Sequence, residues 1–133
     1  MTEEQLILSK RAVSCKGWRW MPGMRWWTDD DRGRLADFQP EYMGRPTDAL
    51  PDLTDPATLG CLLALVREAY RDTSKLWDGH VEVRRDHRIL FFVVSFRHDA
   101  SGALVEDTPQ EGLHYVYGAS EAEALVAALE DAP

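Results

Sequence analysis

At 133 residues the chain is one domain by size, long enough to bury a core without disulfide or metal staples. Its 44% hydrophobic and 29% charged residues suit a soluble globular protein, and no apolar run approaches the roughly 20 residues of a bilayer span. The net charge of −8 arises entirely in residues 51–133, with fifteen acidic and seven basic residues, whereas residues 1–50 hold eight of each.

The N-terminus, Met1-Thr2-Glu3-Glu4-Gln5, lacks the basic and apolar regions of a signal peptide, so a cytoplasmic protein is expected. Thr2 with Gln5 forms a capping box, and Glu3 and Glu4 suit the positive end of a helix. Leu6, Ile7, Lys10 and Val13, with Leu8, Ala12 and Cys15, then recur at helical spacing, which predicts a helix over about 3–15 stopped by Gly17. Trp18 and Trp20 alternate with Gly17 and Arg19 as in a strand, and Pro22-Gly23 is a turn dipeptide. A second extended run, Met24 to Thr28, meets the turn Asp29-Asp30-Asp31-Arg32-Gly33, after which Arg34 to Phe38 is expected to return as its partner. Three prolines and Gly44 mark 39–53 as loop.

At Thr54-Asp55-Pro56, Asp55 is a cap and Pro56 fits the first helical position. Leu59, Leu62, Leu63, Val66 and Tyr70 follow as one apolar face, predicting a helix over about 56–71. After a polar stretch ending near Trp77-Asp78-Gly79 the period changes to two. Val81 and Val83 alternate with Glu82 and Arg84, Arg85-Asp86-His87 is a turn, and 89–96 is a continuous β-branched and aromatic run suited to a central strand. Asp99-Ala100-Ser101-Gly102 turns the chain, Ala103-Leu104-Val105 is a brief pairing segment, and His114-Tyr115-Val116-Tyr117 is the last strand. Ser120 and Glu123 form a second capping box ahead of Ala122, Leu125, Val126 and Leu129, predicting a helix over about 121–131. The expected architecture is α+β: a single antiparallel sheet of about four to six strands with three packed helices, in the order α-β-β-α-β-β-β-α, as one domain over 1–133.

Four of the five tryptophans, Trp18, Trp20, Trp26 and Trp27, fall within ten residues, interleaved with Arg19, Arg25, Arg32 and Arg34. Indoles and guanidinium groups are enriched at interaction hot spots and stack on nucleobases. Trp18, Arg19, Trp20, Arg25, Trp26 and Trp27 are therefore the candidate binding residues. Alternation alternatively points Trp18 and Trp20 into the core, and it sends Trp26 and Trp27 to opposite faces.

No catalytic signature accompanies them. The serines lack a glycine-flanked elbow, and there is neither a phosphate-binding loop nor a dinucleotide fingerprint. His80, His87, His98 and His114 are scattered without metal-ligand spacing and read as solvated strand-end residues. The run Asp29-Asp30-Asp31 lacks the glycine position and closing glutamate of a calcium loop and reads as a turn. Cys15 and Cys61 are far apart, with no disulfide expected between them in a cytosolic chain, and Cys61 reads as a small buried hydrophobe. No cofactor, no metal and no enzymatic activity are expected.

The segments Leu53 to Ala69, Gly118 to Glu130 and Trp20-Met21-Pro22-Gly23-Met24 resemble small bacteriophage- and prophage-encoded proteins of unknown function. The tail is similar in outline to the phage sandwich domain with helices on both sides of a sheet. The resemblance carries no catalytic residue. It implies a phage gene product in the bacterial cytoplasm, where small accessory proteins bind and block host machinery, including CRISPR and other defence systems. An acidic chain disfavours direct nucleic-acid binding and suits a basic host protein, including one whose normal ligand is nucleic acid. Two other expectations stay open: a nucleotide or small-ligand binder using the Trp/Arg cluster, and an enzyme of unrecognised type.

Overall fold

The computed structural model describes residues 1–35, 45–71, 77–85, 91–97 and 113–132, with backbone alone for 77–82, 91–97 and 113–115. Its architecture is α+β. Helix α1 (Glu3–Ser14) starts on the expected reciprocal box, in which Gln5 N donates to Thr2 Oγ1 (3.1 Å) and Thr2 N donates to Gln5 Oε1 (2.9 Å). Residues 17–20 form no strand. Trp18 N donates to Cys15 O, so the chain leaves α1 through a turn, and the alternation of Trp18 and Trp20 reflects packing without a backbone ladder. The Pro22-Gly23 turn is present, and Gly23 needs its freedom there, at φ 89°.

Strand β1 (Arg25–Trp27) pairs antiparallel with β2 (Arg32–Arg34), which begins two residues before the expected Arg34; residues 36–38 lie outside the described residues. On its other edge β1 pairs with β3 (Leu50–Pro51), inside the stretch expected to be loop. A proline is tolerated there because β3 is an edge strand.

Helix α2 (Pro56–Tyr70) is capped by Asp55, with Pro56 at its start. Its fully buried side is Thr58, Leu62, Leu65, Val66 and Tyr70, so the apolar face is rotated from the expected one and leaves Leu59 and Leu63 partly buried. Strands β4 (Trp77–Arg85), β5 (Phe91–Arg97) and β6 (Leu113–Gly118) form a second antiparallel sheet in the order β4-β5-β6. β4 starts at Trp77 and runs through Arg85, taking in residues read as polar stretch and turn. Residues 86–90 and 98–112, with the expected turns and the 103–105 segment, lie outside the described residues.

The expectation of one sheet is therefore corrected: the described strands divide into two three-stranded sheets. The reason is topological. β1 and β2 are closed on one edge by β3, and the chain then crosses through α2 before β4 begins.

Helix α3 (Glu121–Asp131) is the hub, with Ala122, Ala124, Leu125, Val126, Ala128 and Leu129 buried and contacts to α1, α2 and the second sheet. Tyr70 Oη donates to Ala128 O (3.1 Å), joining α2 to α3, and burial raises the Tyr70 phenol above its ordinary value. Ser9 Oγ donates to Pro51 O (2.9 Å), joining α1 to β3.

The turn from β6 into α3 brings Gly118 so close that a Cβ there would collide with the Ala124 backbone. Gly118→Ala should therefore destabilise by about 2–3 kcal/mol, since main chain has to move. Gly60 lies exposed in α2, and a Cβ there meets nothing within 4 Å. Gly60→Ala should stabilise by about 0.5–1 kcal/mol. Urea unfolding of the two variants, giving opposite signs, checks both.

Candidate functional site

The tryptophan segment is built from the β1–β2 hairpin and the turn before it. Trp26 faces Gly33 across the pair, and its indole covers that glycine, where a Cβ would sit 2.6 Å from Cζ2. Trp26 is 4% exposed and belongs to the core. Trp18 and Trp20 are partly buried against the same core and meet edge to face, centroids 5.5 Å apart. Arg45 lies over the Trp20 ring at 4.7 Å, a cation–π contact. The indole nitrogens of Trp18 and Trp27 are buried without a hydrogen-bond acceptor among the described residues.

Three of the segment's four arginines pair with carboxylates of the same chain, while Arg32 is exposed with no salt bridge among the described residues. Arg19 pairs with Glu68 of α2, and both side chains are about half exposed. Such an exposed pair adds little stability. Arg25 Nε stands 3.9 Å from Asp52 Oδ2. Arg34 is placed most firmly: it reaches Gly23 O (2.6 Å) and holds Asp55 in a two-pronged pair at 3.0 and 2.8 Å.

Asp55 Oδ2 also accepts from Thr58 N (2.9 Å) and Thr58 Oγ1 (2.8 Å), while Thr58 Oγ1 accepts from Arg25 N (2.8 Å). One carboxylate, 8% exposed, thus caps α2 and fastens the hairpin to it. The Arg34 bonds hold the Asp55 carboxyl well below the usual carboxylate range, with the Thr58 bonds adding to the effect.

The other candidate residues for chemistry are dispersed. His80 is on β4 and His114 on β6, while His87 and His98 lie outside the described residues. Cys15 and Cys61 are free and half-buried, and burial pushes both thiols up, away from the reactive thiolate. Among the described residues no group of three or more His, Cys, Asp or Glu is arranged to hold a metal ion, and no helix is long and apolar enough to cross a membrane.

Of the six expected binding residues, Trp27 opens onto a recess. This hollow of about 720 Å³ lies between the hairpin turn and the start of α1, and Glu3, Asp29, Asp30, Asp31 and Asp52 line it beside Trp27. The turn is closed by Thr28, whose Oγ1 accepts from Asp30 N (3.3 Å) and Asp31 N (3.0 Å). The Asp31 carboxylate accepts from Arg32 N (2.8 Å), whereas the Asp29 and Asp30 carboxylates have no ion pair or hydrogen bond among the described residues. Local sequence marked these aspartates only as a turn. Their meeting with Glu3 and Asp52 is a tertiary event.

Comparison with family models, with curated proteins and with solved structures returned no match.

Acid should release the Asp55 node. A carboxyl whose folded value is depressed contributes stability above its unfolded value, near pH 3.8, and loses it as pH falls through the folded one. The Glu130 carboxyl, lowered by its bond with Arg11, acts in the same direction. Thermal midpoints should therefore fall progressively below about pH 4, and Asp55→Asn should lower the midpoint at neutral pH and flatten that decline. Replacement by alanine should cost about 1–2 kcal/mol through the lost cap alone. Melts of the three proteins across pH check the sign.

Proposed function

We propose that this chain is a non-enzymatic bacteriophage accessory protein that binds and blocks a basic host protein in the bacterial cytoplasm, acting against a defence system in the manner of an anti-CRISPR inhibitor. The observation that carries the reading is the direction in which charge is used. Arg19, Arg25 and Arg34 of the tryptophan segment pair with Glu68, Asp52 and Asp55, whereas Asp29, Asp30 and Glu3 stand exposed beside an indole with no salt bridge among the described residues, and carboxylates outnumber Arg32 around the recess they share. With a net charge of −8 behind it, such a surface attracts protein patches rich in lysine and arginine and repels phosphate backbones. Proteins that handle nucleic acid carry patches of that kind. The resemblance of the Leu53–Ala69 and Gly118–Glu130 segments to small phage proteins supports the setting.

The nucleotide-binding alternative has less behind it. It requires open indole faces with free guanidinium groups, and here Trp26 is buried, Trp20 is stacked by Arg45, and Arg19, Arg25 and Arg34 hold carboxylates, while Trp27 and Arg32 share a recess whose five carboxylates repel a phosphate.

Bacteria carrying defined defence systems, with and without this chain expressed, should differ in phage plating: expression restores plaques against at least one system. The purified effector of that system should bind the chain with an affinity that falls as salt is raised. No restoration across the panel, together with no complex in purified form, refutes the proposal. Indole fluorescence titrated with nucleotides should stay flat, and a saturable change would instead favour the nucleotide reading.

A further inference from the structure

A second hollow adjoins the acidic recess. It is a groove of about 850 Å³ between the first half of α1 and the start of α3, and it shares Thr2, Gln5 and Thr54 with the recess. Its floor is aliphatic, from Ile7, Leu8, Leu53 and Leu59. Ile7 is 52% exposed, more open than the partly buried Leu6, Leu8 and Val13 of the same helix. Glu4, Glu121 and Glu123 stand along this groove, adding to the five carboxylates of the recess, so eight carboxylates face three cations, Arg11, Arg32 and the Met1 ammonium. Arg11 is already held by Glu130 (2.8 Å). Glu3, Glu4, Asp29, Asp30 and Glu121 have no cationic partner among the described residues.

We infer that recess and groove form one docking trough for a lysine- and arginine-rich segment of a partner protein that also carries an aliphatic anchor for the Ile7 groove. This rests on the binding-protein reading and names its surface. The aliphatic floor calls for apolar area, and the carboxylate walls choose the occupant's sign. A second copy of this chain, also at −8, is the wrong sign, and so is a nucleic-acid strand. The division of labour is that of ordinary interfaces: apolar contact in the groove supplies affinity, while charge on the rim steers approach and selects the partner.

The test uses the full chain and a fluorescent synthetic peptide in which lysine alternates with leucine. Controls replace every lysine by glutamate or every leucine by glycine. The lysine–leucine peptide should bind saturably and weaken about tenfold between roughly 50 and 200 mM salt, while both controls bind far more weakly. Asp29→Lys with Asp30→Lys, at exposed turn positions, should weaken binding at low salt. Ile7→Ser should weaken it about tenfold at every salt concentration by removing the aliphatic contact. Thermal melts confirm that both variants fold.

Equal binding of the glycine control, or affinity unmoved by either variant, overturns the inference. So does a salt-stable dimer of the chain that Ile7→Ser dissolves, which would assign the groove to self-association. The outcomes separate from those of the functional proposal. Peptide binding through the trough without phage protection keeps the trough and removes the defence role. Phage protection untouched by the trough variants keeps that role and removes the trough.

Discussion

The Asp55 carboxylate is the joint on which the arrangement of this molecule turns. It caps α2 through Thr58, receives the fork of Arg34 from β2, and through the Thr58 hydroxyl is linked to the backbone of Arg25 in β1. A nearly buried carboxylate is costly unless its lone pairs are engaged and a cation stands opposite. Here four hydrogen bonds and a guanidinium meet both conditions. The consequence is orientation. With β1 fixed to the start of α2, Trp26 is directed into the core over Gly33, and Trp27, next along the strand, opens onto the recess beside α1.

That joint also explains the distribution of charge. The first fifty residues are electrically balanced, yet their arginines and aspartates are not used alike. Arg19, Arg25 and Arg34 reach across to acidic partners on or beside α2, neutralising part of the acidic second half of the chain. The hairpin turn keeps Asp29 and Asp30 out of such pairs. A region that reads in sequence as a mixture of indole and guanidinium thus presents its carboxylates outward and holds most of its cations close.

The helices were legible because their signals are local. Thr2 with Gln5, Asp55 before Pro56 and Ser120 ahead of Glu123 each place a side-chain acceptor where orphan N–H groups begin, and each is a cap in the structure. The buried face of α2 was harder to place, since Leu59, Leu62, Leu63, Leu65 and Val66 form two overlapping apolar stripes, and the choice between them depends on what lies opposite. Partnership of strands was not legible. Nothing in Leu50-Pro51 announces that it will close the edge of β1, and the alternation of Trp18 and Trp20 imitates a strand although its cause is an edge-to-face contact. The tryptophan density drew notice to the segment but did not disclose how its arginines are used, because pairing with Glu68, Asp52 and Asp55 joins residues tens of positions apart.

What sets the proposed trough apart from an ordinary acidic surface is the pair Asp29 and Asp30, whose carboxylates bond to nothing among the described residues. Glu3, Glu4, Glu121 and Glu123 sit in the first turns of α1 and α3, where helix dipoles favour anions, so part of their charge has a structural use. Glu123 further accepts from Ala119 N (2.9 Å). Asp52 has Arg25 and Thr54, and Asp31 has the Arg32 amide. For Asp29 and Asp30 the accounting runs out: the turn they occupy is closed by the Thr28 hydroxyl and by the Thr28 N to Asp31 O bond, and needs neither carboxylate. These two adjacent like charges repel, and no internal bond offsets them. A lysine or arginine brought to that turn would relieve this repulsion, which is why the proposed trough makes its strongest demand for a cation at Asp29 and Asp30.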